Sequence, residues 1–364
     1  MKADVAIIGA GAAGAAAAAS LAPHVSVALI DRVEIPVWRI GETLPGAARR
    51  VLAAIGALPR FEAAGHGAAP LKISRWGSDE AVALDAFRDP DGVGWRLDRA
   101  RFEADLRADA VARGARLVAP ATVSAVSRAA QGWVVGLDSG EVIGARLVID
   151  ASGRRSRLLR PFGQRRVVMD RLVCVHQRVR PRGAADPSTY THSTAEGWWY
   201  TAMLPDGWRI VAFHGDNDQP ELRTILRDGP VAVARWIDGL AEMIGPLDHA
   251  EMEAPQACAA HSAAGSAAGQ GWLAAGDSAL ALDPLSSQGL FNALVTGMEV
   301  GEAARALLEG EETAMHAHAA RAGRIWQAYQ AHHATYYGME RRWPEAPFWR
   351  RRLGGAAAAG LDPE

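Results

Sequence analysis

The chain has 364 residues, 49% of them hydrophobic, and a formal net charge of −2. That length supports a sizeable core spread over two interleaved lobes, and the near-neutral charge excludes a global basic field for nucleic acid. The two cysteines, Cys174 and Cys258, lie far apart and form no CxxC, so neither a zinc site nor a disulfide framework follows.

The first element is an apolar strand, residues 4–8, running into Gly9-Ala10-Gly11-Ala12-Ala13-Gly14 and an alanine-rich helix to Leu21. A second strand, residues 25–30, ends at Asp31. Strand, tight turn, helix and strand are the context a dinucleotide fingerprint requires. Gly9 permits the turn, Gly11 lets the backbone approach a pyrophosphate, and Gly14, beside Ala13, lets helix and strand pack closely. Asp31 lies 22 positions after Gly9, where a carboxylate can take the hydroxyls of an unphosphorylated ribose. That points to FAD or NAD rather than NADP. Asp4 interrupts the apolar N-terminus, so the segment reads as this fingerprint and not as a signal peptide. No run reaches the length of a membrane span, and the cytoplasm is the default expectation.

A loop from Arg32 to Pro45 follows, carrying Arg39-Ile40-Gly41-Glu42-Thr43-Leu44-Pro45. Arg39 reads either as a contact to a cofactor phosphate or ring, or as a surface ion pair. A helix is expected over 47–58, then loop and strands over 66–97, including 71–76 and 94–97. Asp98 is the expected N-cap of a helix to about Arg113. Strands at 116–118, 121–127, 132–137 and 147–150 return to the nucleotide lobe. A strand-rich section from about 167 to 258 contains Trp198-Trp199-Tyr200.

The segment Gly276-Asp277-Ser278-Ala279 to Gly289 is the second nucleotide signature. A Gly-Asp at a strand end can bind a ribityl chain or pyrophosphate. Pro284, small residues including Ser287, then Gln288 and Gly289 let a helix start with free N–H groups, which favour negative charge. Two signatures together point to a flavin spread across one domain. The rest of the chain is helical. Its end alternates arginine with Trp326, Trp343 and Trp349, a composition suited to a protein surface or to docking the last helices onto the flavin lobe. The run Arg350-Arg351-Arg352 reads as a solvated face.

With those residues in hand, the chain resembles the flavoprotein monooxygenases of the para-hydroxybenzoate hydroxylase fold. The match covers Gly9-Gly11-Gly14, Asp31, Asp98-Arg99-Ala100-Arg101-Phe102, Asp150-Ala151-Ser152-Gly153-Arg154-Arg155-Ser156, and Gly276-Asp277 through Asn292. Within that fold it is similar to flavin-dependent halogenases and to the flavoprotein maturases that build tryptophylquinone cofactors. The segments carrying this are Ile40-Gly41-Glu42-Thr43-Leu44-Pro45, Ser74-Arg75-Trp76-Gly77-Ser78, Gly197 to Pro205, Asp283 to Gly289, and Arg341-Arg342-Trp343-Pro344 with Pro347-Phe348-Trp349.

The resemblance implies an α/β protein: an FAD-binding, three-layer Rossmann-like lobe (1–70, 98–165, 262–310) interleaved with a strand-rich substrate lobe (71–97, 166–261), and C-terminal helices (311–364). It implies FAD as cofactor, held by Gly9, Gly11, Ala13, Gly14, Asp31, Arg32, Arg39, Gly41, Glu42, Arg101, Gly276, Asp277, Pro284, Ser287, Gln288 and Gly289. Glu42 would run beside the flavin ring, as an acid or base or as a loop-capping carboxylate. Trp199 and His176, with Trp76, Trp95, Trp198, Tyr200 and His214 nearby, are the substrate-side candidates. No metal is expected.

Two departures shape the expected activity. Tryptophan halogenases carry WxWxIP, which Trp198-Trp199-Tyr200-Thr201-Ala202-Met203-Leu204-Pro205 does not match, and their relay lysine has no counterpart, since Lys72 falls at a different position. Halogenation is therefore not expected. Ser152 stands where NADPH-binding hydroxylases usually have aspartate, so the electron donor is NAD(P)H or a separate flavin reductase. The expected activity is FAD-dependent hydroxylation of an indole, a tryptophan of a partner protein or peptide during quinone cofactor maturation. The alternatives are a small-molecule aromatic hydroxylase or halogenase, a geranylgeranyl reductase-like flavoprotein, and a non-catalytic flavin-binding partner.

Overall fold

The computed structural model describes residues 1–85, 90–183 and 185–353. The expected strand-rich segments 71–97 and 166–261 and the C-terminal segment 311–364 thus lie partly outside the described residues. The chain forms two compact units. One comprises Met1–His66, Asp98–Met169 and Ser262–Trp326; the other comprises Gly67–Leu97, Asp170–His261 and Gln327–Glu364. Residues 311–364, expected as a separate helical portion, are divided between the two at Trp326.

In the first unit, strands Lys2–Ile8, Val27–Ile30, Arg116–Val118, Val142–Asp150 and Trp272–Ala274 pair in parallel. Their order runs Trp272–Ala274, Val142–Asp150, Lys2–Ile8, Val27–Ile30, Arg116–Val118. The central strands are buried over Val5–Ile8, Val27–Ile30 and 147–150 without alternation. A parallel sheet covered on both faces demands such continuous apolar runs. Ile8 pairs with Ile30 on one side and Asp150 on the other, so the fingerprint turn, Asp31 and the Asp150 loop all leave the same sheet edge.

The alanines of helix Ala12–Leu21 have a packing reason. The helix is almost wholly buried and lies against helix Gly289–Leu308. A side chain at Gly297 would overlap the Ala13 carbonyl, and one at Gly301 would meet Ser20 Cβ at 2.9 Å. Small residues on both helices let the backbones approach. The helix expected over 47–58 is instead two, Ala48–Ala54 and Leu58–Ala63. Gly56, at φ +73°, breaks the first, and Pro59 stands in the first turn of the second.

The second unit is built on a sheet ordered Leu247–Met252, Leu172–Pro181, Arg209–Asp216, Gly197–Met203, Thr189–Thr194, Leu71–Arg75, Val82–Asp85, with Gln256–Ala259 also pairing Leu172–Pro181. Only Thr189–Thr194 and Leu71–Arg75 among these neighbours run parallel. One face forms an apolar core of Val175, Trp199, Val211 and Phe213 with Leu222, Ile225, Val231 and Leu240. The short helices Pro220–Asp228, Pro230–Ala234 and Leu240–Ile244 supply that cover.

The chain's end belongs to this unit. Trp349 is buried, donates its indole N–H to the Thr194 carbonyl at 2.7 Å, and packs edge-on to Trp76 at 5.4 Å. It docks on the strand-rich unit. The arginine run is likewise not simply solvated: Arg352 is buried and pairs with the buried Asp216 at 2.8 Å.

Candidate cofactor site

The turn after the first strand is set by backbone sterics. Gly9 has φ +101° and Gly14 packs so closely that any side chain there would overlap the Gly9 carbonyl. Gly11 differs. It caps helix Ala12–Leu21 in extended conformation, and a Cβ there would meet Arg39 Nη2 at 3.3 Å. The helix start carries no side-chain cap and no acidic residue in its first turn. An uncovered helix N-terminus beside an arginine is chemistry that fits a pyrophosphate.

Asp31 is partly committed to building this loop. Its carboxylate accepts from the Ala10 N–H at 2.7 Å and the Val33 N–H at 2.9 Å, and pairs with Arg107 at 3.2 Å. A carboxylate has about four lone-pair positions, so capacity remains for a ribose hydroxyl. Arg107 also donates to the carbonyls of Ala10 at 2.8 Å and Val33 at 2.6 Å. It is the main side-chain brace of the fingerprint loop, and no motif in the sequence marks it.

Arg107 belongs to helix Arg99–Ala112, capped by Asp98, which accepts from the Arg101 N–H at 3.1 Å. Arg99, Glu103 and Arg107 recur at four-residue spacing and are all buried on one face. Glu103 pairs with Arg99 and Arg39, and Arg99 donates to the Ile40 and Gly41 carbonyls. Burial raises the Glu103 carboxyl, but Arg99 and then Arg39 outweigh it and hold Glu103 below its ordinary value. Arg39 is thus both an ion pair and a neighbour of Gly11. Arg101 lies off this stripe: its side chain is 53% exposed and meets Asp105 at 3.6 Å. Arg32 is also exposed. The four-residue repeat was the signal that would have selected Arg99 and Arg107.

Gly41 has φ +101°. The Glu42 side chain is 1% exposed and accepts from the Gly41 N–H at 2.9 Å, the geometry of a loop-capping carboxylate.

The second signature meets the first. A side chain at Gly276 (φ +59°) would lie 2.8 Å from Ala13 Cβ. The Gly276 N–H donates to Thr296 Oγ1 at 2.9 Å. Asp277 pairs with Arg154 at 3.1 Å. Asp283 accepts from the Leu285 N–H at 2.8 Å, folding the short turn Pro284–Ser286, and Ser287 adopts φ 52°. Helix Gly289–Leu308 then starts at Gln288 with no side-chain cap, and a Cβ at Gly289 would meet no neighbouring segment within 4 Å among the described residues. A second uncapped N-terminus, on a 20-residue helix, thus joins the first in one unit.

Asp150, buried, is the knot between them. It accepts from the Ser152 N–H at 2.9 Å and hydroxyl at 2.6 Å, from Ser156, from Gln164 at 3.0 Å and from Ser278 at 3.1 Å. Ser152 therefore turns its hydroxyl inward.

The substrate-side candidates split between the two faces of the other unit's sheet. Trp199 lies in the apolar core, 4.8 Å from Phe213. It packs the sheet against its helices, which corrects its reading as a reactive-site residue. His176, Trp198, Tyr200 and His214 occupy the opposite face by register. Trp198 stacks on His214 at 3.6 Å and donates to the Tyr337 hydroxyl at 3.1 Å. Tyr200 accepts from Arg96 at 2.8 Å. His176 is buried between the Ala212 and Gln256 register positions. Among the described residues there is no His, Cys, Asp and Glu group that could hold a metal, and no helix long and apolar enough to cross a membrane.

Comparison with known proteins agrees with this geometry. A family model described as Tryptophan halogenase matches residues 84–209. The FAD-dependent oxidoreductase LodB of Marinomonas mediterranea is 31% identical over an aligned length of 368, covering 96% of each chain. Among solved structures, the myxobacterial chondrochloren halogenase CndH superposes with a TM-score of 0.83 at 23% identity, covering 98% of this chain and 88% of its own. The peptidyl tryptophan dihydroxylase QhpG, essential for tryptophylquinone cofactor biogenesis, superposes with a TM-score of 0.80 at 25% identity, covering 97% of this chain and 79% of its own.

Proposed function

Because the chain belongs to the family of LodB, the FAD-dependent oxidoreductases, we propose that it is a flavin monooxygenase acting on a tryptophan side chain of a partner protein or peptide, during the making of a tryptophan-derived quinone. The observation that carries this reading is the likeness, over nearly the whole chain, to a peptidyl tryptophan dihydroxylase. Bound FAD supplies the redox chemistry and the activation of dioxygen.

The chain's own residues would hold and screen it. The Gly9–Gly14 turn and the Ala12–Leu21 helix start receive the pyrophosphate, with Arg39 adding positive charge beside Gly11. Asp31 receives the ribose. Gly276, Asp277 and the helix start at Gly289 receive the flavin half. Arg107 and the Arg99–Glu103 pair brace the loops that would hold the cofactor. Glu42 holds the Gly41 turn; as an acid or base at the ring, its role is tested by replacement with Gln. Each oxygen atom inserted consumes one dioxygen and two reducing equivalents and releases one water. Ser152 is turned onto Asp150, which favours delivery of those equivalents by a separate flavin reductase.

Co-expression with the partner, followed by intact-protein and peptide mass spectrometry, tests this. An oxygen-dependent gain of one or two oxygen atoms on a partner tryptophan is expected. Efficient turnover of free indoles or prenyl lipids, with the partner unmodified, contradicts it. The halogenase family match favours one rival reading. Added halide should leave no halogen in the product, whereas a halogenated indole whose formation needs Lys72 establishes that rival.

A further inference from the structure

We propose that Cys174 and Cys258 form a reversible cross-strand disulfide, made when the protein meets hydrogen peroxide. The two are distant in sequence, yet the antiparallel pairing of Leu172–Pro181 with Gln256–Ala259 sets them directly opposite one another. Side chains of directly opposed residues leave the sheet on the same face. The Ala260 N–H donates to the Leu172 carbonyl at 3.0 Å, so that pair is a hydrogen-bonded one. Two residues along, Cys174 and Cys258 have the same parity. Hydrogen-bonded pairs have Cα atoms about 5.5 Å apart, inside the window of about 4.4–6.8 Å that a disulfide spans. Opposed Cβ atoms stand about 4.5–5.5 Å apart against about 3.5–4.5 Å in a disulfide, so the two strands draw slightly together as the bond forms.

Access is asymmetric, which orders the chemistry. Cys174 is 1% exposed, while Cys258 is only half-buried, and Gln256, Ala257 and Ala259 beside it are exposed. The Cys258 thiolate attacks peroxide, giving a sulfenic acid and hydroxide. The Cys174 sulfur then displaces the sulfenic oxygen, which leaves as water. Overall, two thiols and one hydrogen peroxide give one disulfide and two waters. Hydrogen peroxide is the two-electron product of dioxygen that a flavin oxidoreductase releases when oxygen reduction is not coupled to substrate. A resolving thiol held opposite Cys258 stops its oxidation at the reversible stage.

The consequence is local. The bond ties Gln256–Ala259 to Leu172–Pro181 beside His176, on the sheet face that also carries His214 and Trp198.

The full-length, FAD-loaded protein is treated with hydrogen peroxide, alkylated under denaturing conditions and mapped without reduction; a parallel sample receives diamide. The expected result is joint loss of both thiols and one linked peptide containing Cys174 and Cys258, reversed by dithiothreitol and absent in Cys258→Ser. Slower hydrogen exchange in residues 256–259 of the oxidised form is expected with it. A link with diamide but none with peroxide overturns the peroxide role. No link with either oxidant, a link between two chains, or a Cys258 sulfinic acid beside an intact Cys174 thiol overturns the pair itself.

Discussion

The two units use side chains in opposite ways. The candidate site of the nucleotide unit consists mainly of backbone: glycines whose missing Cβ atoms leave room, and helix starts with no side-chain cap. Its charged side chains, Arg99, Glu103 and Arg107, brace loops from behind. The strand-rich unit makes its surfaces from large buried side chains on alternate faces of one sheet, with Trp199 packing the core and Trp198 stacked on His214. Substitutions in the first unit should therefore separate cofactor loss from fold loss position by position. In the second they should scale with the volume removed.

A large effect is expected in the second unit. Trp199→Ala empties a fully enclosed site and should lower stability by about 4 kcal/mol, read by urea denaturation, with FAD retained by whatever protein stays folded. A variant of near-normal stability would show that Trp199 is not core. In the first unit, Arg107→Ala removes the Asp31 pair and the bonds to Ala10 and Val33. A loss of about 3 kcal/mol is expected, along with weaker flavin binding. The sharper contrast is between two glycines. Gly14→Val should fail to fold, because the Gly9 carbonyl occupies the side-chain position. Gly11→Val should fold with ordinary stability yet lose FAD affinity roughly a hundredfold, about 2.7 kcal/mol. A yellow Gly11→Val protein would break the assignment of the pyrophosphate loop.

A smaller effect depends on pH. Burial, then the charges of Arg75 and Arg342, push His192 from 6.5 down to about 4. The unfolded chain therefore binds this proton more readily than the folded one. The stability is present in full above pH 6.5 and falls as pH drops through about 4. His192→Gln should flatten that slope of the stability curve; an unchanged slope would assign it elsewhere. Smallest is Arg101→Ala. Its exposed pair with Asp105 contributes no more than about 0.5 kcal/mol, so a strong loss of flavin in this variant would mean that Arg101 turns to the cofactor on binding.

What could be read in the sequence follows from the same contrast. A backbone requirement selects a residue type, so Gly9, Gly11, Gly14, Asp31 and the Gly276 to Gly289 loop were visible as letters. So was the Asp98 cap, which the structure shows accepting from Arg101 N–H. The bracing stripe was visible as spacing, Arg99, Glu103 and Arg107, although the adjacent Arg101 drew the attention. Alternation along the strand puts Trp198 and Trp199 on opposite faces, but which face is core depends on helices 220–244, which the strand itself does not encode. The docking of Trp349 and the burial of Arg352 against Asp216 depend on contacts between distant segments. The Cys174–Cys258 register is of the same kind: two strands pair across a long interval, and no local pattern announces it.

The most direct test of the central claim is isotopic. The FAD-loaded enzyme, a flavin reductase and the unmodified partner are supplied with oxygen-18 gas in ordinary water, and the partner's tryptophan peptide is sequenced by mass spectrometry. The account predicts label on the tryptophan ring, one atom for each oxygen inserted. Oxygen drawn only from water, or a partner that stays unmodified while NAD(P)H and dioxygen are consumed, would contradict it.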